Sequence, residues 1–126
     1  MSVLAAAQAV ARSALPGVPV SALVSQSPRR FVRVSRAGGS RDRILDRPTI
    51  LVECFASTVA GAPDSVQAEA DATALADAFT DAASGGTWAG LWISGWDMGG
   101  LTDFAHPDYP HHSRWQFTGT LYLINP

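Results

Sequence analysis

The chain has 126 residues, of which 47% are apolar and 16% charged, and its formal charge is −2. One domain of that length can bury a sizeable core, and intrinsic disorder, which needs few apolar residues and a large net charge, is excluded. Bulk attraction to nucleic acid or membrane is excluded by the small net charge, and no apolar run approaches the roughly 20 residues that span a bilayer.

Ser2 can cap a first helix running to about Leu15, with Val3, Ala7, Val10 and Ala14 at helical spacing and Gln8 and Arg12 on another face. Pro16-Gly17 stops it. The stripe is mostly alanine, which lets the helix pack closely on something flat or on a neighbouring subunit. The start Met1-Ser2-Val3-Leu4-Ala5 lacks the basic residues and long apolar region of a signal peptide. From Val18 to Pro28 the pattern is weak, a short extended stretch bracketed by Pro19 and Pro28. Phe31 to Arg36 then alternates as a strand, Val32 and Val34 on one face, Arg33 and Ser35 on the other. Ala37-Gly38-Gly39-Ser40 is expected to break it. Pro48 opens a second strand, Thr49 to Ala56, in which Ile50, Val52 and Cys54 share a face. Glu53 lies between Leu51 and Phe55 on the opposite side, which predicts a partly wet face. The two strands are expected to pair antiparallel across a long polar loop that carries arginines. Cys54 is the single cysteine, so no internal disulfide can form, and its apolar surroundings predict a core filler in a protein made in the cytosol.

Asp64 begins a second helix, and Gln67 three residues on completes a capping-box pattern. Ala68, Ala72, Leu75, Phe79 and Ala82 form its apolar stripe, with Asp77 and Asp81 on the opposite side and Gly85-Gly86 as the stop. Trp88 to Trp96 alternates as a strand, which puts Trp88, Trp92 and Trp96 on one face and Leu91 and Ile93 on the other. Two apolar faces require two covers, a helix on one side and a neighbouring subunit on the other. A loop from Met98 to Ser113, rich in Gly, Pro and His, is long enough to be functional or mobile. The last strand, Arg114 to Ile124, directs Trp115, Phe117, Leu121 and Leu123 inward and Arg114, Gln116, Thr118 and Thr120 outward. Helix, strand, strand, helix, strand, strand predicts an α/β (α+β) fold. Its form would be a mostly antiparallel four-to-five-stranded sheet with two helices packed on one side, in a single domain over residues 1–126.

Several fragments then carry a resemblance. Arg30-Phe31-Val32-Arg33-Val34-Ser35-Arg36-Ala37-Gly38-Gly39 precedes Asp46-Arg47-Pro48-Thr49-Ile50-Leu51-Val52-Glu53-Cys54-Phe55-Ala56. An alanine-rich helix with Ala72, Leu75 and Ala76 follows, and Pro107-Asp108 leads into Arg114-Trp115-Gln116-Phe117-Thr118-Gly119-Thr120-Leu121. Together these resemble the tail terminator (tail-completion) proteins of long-tailed phages, of the kind found in phages of actinobacteria. The resemblance runs from about Gly17 to the C-terminus and rests on element order and short fragments, with no catalytic signature. It implies a protomer that assembles with itself into a ring, typically a hexamer, on the last ring of tail tube protein. In the virion that ring sits at the head-proximal end of the tail, stops elongation, and presents a surface to the head-tail connector protein. It implies no enzyme activity, no catalytic residues, no cofactor and no membrane. Other neck or head-completion proteins share this size and layout and form the nearest alternative.

Four constellations of residues stand beside that resemblance. Arg29, Arg30, Arg33, Arg36, Arg41, Arg43 and Arg47 are seven of the chain's nine arginines, and Asp42 and Asp46 are the only acids among them, leaving a local charge of about +5. A solvated strand edge protected from stray pairing explains such a run without any function. A loop projecting into a ring channel would instead meet DNA phosphates without sequence specificity. Of the two functional readings the preferred one is a subunit interface. Eight acids and no Arg or Lys occur from Asp64 to Asp108, so Asp77, Asp81 and Asp108 offer an acidic face to a neighbour's arginines. His106, Asp108, His111 and His112 could ligate a divalent metal, as in a small metal-dependent enzyme. Pro107 and Pro110 keep them off any regular element, however, and a turn-rich loop with incidental histidines is preferred. The tryptophan row reads first as core. No Gly-x-Ser-x-Gly elbow or phosphate loop is present in the sequence, and Ser94 and Ser113 have no identifiable base.

Overall fold

A computed structural model describes residues 2–23, 29–41 and 45–124. Both helices start where their caps place them. Helix α1 (Val3–Ala14) has the Ser2 hydroxyl accepting the Ala5 N–H at 3.2 Å, and α2 (Ser65–Ala82) has the Asp64 carboxylate accepting the Gln67 N–H at 3.1 Å. The reciprocal half of the capping box is missing. The Gln67 side chain donates instead to Asp71, 2.9 Å away.

The strands are β1 (Val20–Ser21), β2 (Arg30–Arg41), β3 (Leu45–Ala56), β4 (Thr87–Trp88), β5 (Leu91–Met98), β6 (Thr102–Asp103) and β7 (Ser113–Ile124). They form one seven-stranded sheet in the order β1-β2-β3-β7-β5-β4, with β6 beside β7. The α+β class and the helix placement agree with expectation, but seven strands replace the four or five predicted. The extra ones, β1, β4 and β6, are two residues long, too short to show a period of two. β1 also pairs parallel to β2, Val20 opposite Val32, whereas all other pairs are antiparallel.

Gly38-Gly39 does not end β2. A bulge between Arg36 and Gly38 absorbs Ala37, and the ladder with β3 continues to Arg41 opposite Asp46. The expected Arg-bearing loop is therefore mostly strand. Gly39, at φ +101°, faces Pro48 so closely that a Cβ would collide with the Arg47 carbonyl and the Pro48 Cα. Glycine is needed there because the two backbones nearly touch.

Both helices cover one face of the sheet. Ala6, Ala7, Val10 and Ala11 of α1 and the predicted stripe of α2 are buried with Val32, Val34, Ile50, Val52 and Cys54, and with Phe117, Leu121 and Leu123 of β7. Alanine at α1 permits the close approach that its composition implied. Cys54 is wholly buried, and desolvation pushes its thiol above the ordinary range. We expect Cys54 to resist alkylation in the native protein and to react stoichiometrically in denaturant, as mass spectrometry after iodoacetamide treatment would read.

The tryptophan row is broken by a second bulge, between Ile93 and Gly95. Leu91 and Ile93 are core residues, and after the bulge Trp96 joins the same face, opposite Leu121 and stacked on Phe79 at 4.8 Å. Trp92 lies on the other face beside Ile124, 48% exposed. One added residue in a strand exchanges its faces, so alternation alone could not place all three indoles.

The outer face differs from expectation as well. Glu53 and Phe55 are 1% and 0% exposed, not wet. Phe31 and Phe55 stack at 4.5 Å, and the His-rich loop folds back over them to make a second small core.

Candidate functional site

The arginines do not form a single free patch. Three buried carboxylates divide them. Asp71 on α2 takes Arg30 in a bidentate pair, Nε to Oδ2 at 2.8 Å and Nη2 to Oδ1 at 2.6 Å. That hydrogen bond, opposed in part by desolvation, holds the Arg30 guanidinium more firmly charged than usual. Glu53 on β3 accepts from Arg33 at 3.0 Å through one oxygen and from Arg114 at 2.8 Å through the other. Arg114 also donates to the Phe104 carbonyl at 2.6 Å, and Arg33 to that of Ala22 at 3.1 Å. Asp46 receives Arg36 at 3.2 Å and lies 3.6 Å from Arg41.

Arg29, Arg41 and Arg47 remain for outside contact. Arg29 is exposed, the Arg41 side chain is 65% exposed, and Arg47 reaches the Ser40 hydroxyl at 3.5 Å. Arg43 and Asp42 lie outside the described residues. The burial of the acids Asp46, Glu53 and Asp71, and Arg114 as the distant partner of Glu53, were missed by sequence reasoning. One signal was there to read: Glu53 stands alone inside Leu51-Val52-Glu53-Cys54-Phe55, and a single acid in an apolar strand is seldom buried unless paired.

The four candidate metal ligands are not brought together. His106 and His112 turn their rings toward Phe55 and Phe31, at 6.1 and 5.4 Å between centroids, and Tyr109 lies edge-on to Phe55 at 5.8 Å. His106 Nδ1 accepts the Asp108 N–H at 3.1 Å, while Asp108 and His111 face solvent. Among the described residues no group of three or more His, Cys, Asp or Glu is arranged to hold a metal ion. The loop's placement is that of a cover.

Asp77 and Asp81 are exposed on α2, one turn apart, as its pattern predicts. Asp108 belongs to the loop on the opposite side of the sheet, so the three acids do not share a face. Asp81 stands at the rim of a cleft of about 340 Å³ between the ends of α1 and α2, lined also by Val10, Ser13, Ala14 and Trp88. Asp97 is occupied otherwise, accepting from the Tyr122 hydroxyl at 2.7 Å. Among the described residues no helix is long and apolar enough to cross a membrane.

No protein-family profile matches this chain, and no curated protein sequence does. Its fold is similar to that of a chain in a solved structure described as "Virion of native gene transfer agent (GTA) particle". The TM-score is 0.62, over 93% of this chain and 86% of that one. Only 14% of the residues are identical, so the likeness is one of fold.

Proposed function

We propose that this chain is a structural protein of a phage-type virion and, within it, the tail terminator. Copies form a ring, a hexamer by the resemblance, at the head-proximal end of the tail tube. The ring stops elongation and receives the head-tail connector. The observation that carries this reading is the fold likeness, over nearly the whole chain, to a protein of a virion particle. The fragments around Arg30–Gly39, Asp46–Ala56 and Arg114–Leu121 narrow it to the terminator. The protein is not an enzyme on this reading: its ionisable residues are spent on ion pairs, caps and a hydrophobic cover, an economy suited to a scaffold.

An antibody raised to the protein, imaged on tails purified from a head-defective lysate of the encoding phage, tests it. Label at one end of headless tails is expected. Label only on heads would move the protein to the head-side neck, and label nowhere would return attention to an enzyme. That enzyme would have to use His106 to His112, and stoichiometric zinc in the purified protein would be its mark.

The arginines left exposed by the internal pairs are the ones to carry outside contacts, to a neighbouring subunit or to DNA in the channel. Reversing Arg41 and Arg43 to Glu is expected to abolish assembly onto tails, scored as loss of the antibody label from tail ends. Normal labelling at ordinary salt would sink the charge-contact reading.

A further inference from the structure

The sheet's two flanks differ in charge at the same end of the molecule. Among the described residues β1 covers only Val32 and Arg33 of β2, so beyond them no strand pairs with its outer edge, and Arg36 to Arg41 run along it at the surface, the Arg41 side chain 65% exposed. On the far flank β4 is the last strand. The ladder links the two places: Leu45 of β3 pairs with Ile124 of β7, Ile124 with Trp92 of β5, and Trp92 with Thr87 of β4. The basic β2–β3 tip and the β4 flank therefore stand at one level, on opposite sides. Asp81 and its cleft adjoin β4, since Gly85, Gly86, Thr87 and Trp88 line the cleft.

The cleft is electrostatically unsatisfied in the isolated protomer. α2 contains no basic residue, and Asp77 and Asp81 are like charges one turn apart on its exposed side. Asp81 also lies in the last turn of α2, the negative end of the helix dipole, although its own carbonyl is capped by Ser84. Among the described residues neither acid makes an ion pair. A cation supplied from outside would relieve both interactions together. The cleft's lining suits one: Ala14 and Ala82 are small and apolar, Asp81 supplies a carboxylate, and Trp88 supplies an indole, a side chain that attracts guanidinium groups.

We propose that this cleft receives an arginine from the β2–β3 tip of a second copy of the chain, Arg41 being the foremost candidate. The inference rests on the ring reading and deepens it. A basic flank and an acidic flank at one level give a head-to-tail contact, which closes when the rotation between copies permits. Asp81 has no ion-pair partner at home among the described residues, and Arg41 shares its only described one, Asp46, with Arg36.

Sedimentation velocity of the full chain tests the contact. At low ionic strength the wild type is expected to self-associate, with at least tenfold weakening at high salt. Asp81→Arg and Arg41→Glu are each expected to be monomeric, yet to associate when mixed, because each keeps one flank and their altered flanks match each other. Ser13→Trp, which fills the cleft without changing charge, is expected to be monomeric too. Unchanged thermal transitions would show that the variants fold. A wild type that stays monomeric at low salt, variants that associate like it, or a mixture that fails to associate would each overturn the contact. Labelled tail ends with unaffected variants would overturn this cleft while leaving the ring; unlabelled tails would remove the ring whatever the sedimentation shows.

Discussion

Glu53→Ala is expected to cost about 3–5 kcal/mol of unfolding free energy, the range for removing one partner of a buried ion pair. Glu53 is 1% exposed and, among the described residues, is the only carboxylate bonded to the Arg114 side chain, which is itself 10% exposed. Without the acid, Arg114 keeps its charge, because a guanidinium does not give up its proton in a protein. It would retain one hydrogen bond, to the Phe104 carbonyl, and a position 5.3 Å over the Phe104 ring. The Phe104 segment would then have to move to let water reach it. Arg33→Ala should cost far less, since that side chain is 34% exposed and Glu53 keeps Arg114 afterwards. Urea unfolding reads both: a large fall in midpoint for Glu53→Ala and a small one for Arg33→Ala, at constant slope. Equal falls would mean that Glu53 is not the anchor. Replacing Glu53, Arg33 and Arg114 together by apolar residues of similar volume should recover most of the loss, since a satisfied ion cluster and a well-packed apolar one are close in energy.

That network marks where the sequence was readable and where it was not. Periodic segments of about eight residues or more, free of bulges, were legible. The α2 stripe, the Ile50-Val52-Cys54 face and the inward residues of β7 were placed correctly because each repeats its signal over several turns or pairs. Two bulges defeated the rest. One carried β2 through Gly38-Gly39, and the other rotated Trp96 onto the face of Leu91; both depend on a single unpaired residue that no local pattern reveals. The arginines looked like a surface feature because sequence proximity says nothing about acids 20, 41 or 61 residues away, the separations at which Arg33, Arg30 and Arg114 meet their partners. The histidine loop was read as turn-rich with incidental histidines, and its role as an apolar cover was hidden for a related reason. His, Asp and Tyr are polar letters, yet a ring edge over Phe31 or Phe55 is an apolar contact. Asp77 and Asp81 lay where helical spacing put them, and what spacing could not show was the cleft beside them.

Phe79→Ala is the second substitution with a large expected effect, again about 3–5 kcal/mol. Phe79 is fully buried, stacks on Trp96 at 4.8 Å and meets Phe117 edge-on at 6.3 Å. It is therefore the link between α2 and the two strands that turn the helix-covered face into a core. The Trp96 indole packs directly on Gly119, where no Cβ would fit, so a shift into the void would forfeit that contact. A wall held in that way leaves most of the cavity open, which places the cost toward the upper part of the range. The expected readouts are a Tm lowered by roughly 10–20 °C and a loss of near-ultraviolet circular dichroism from Trp96. Val66→Ala on the same helix, where the side chain is 82% exposed, should stay within about 0.5 kcal/mol of wild type. The contrast matters for assembly. Phe79→Ala would lose tails because the protomer unfolds, whereas Asp81→Arg should lose self-association with its Tm intact. Only a defect of the second kind, at full stability, can be assigned to the cleft.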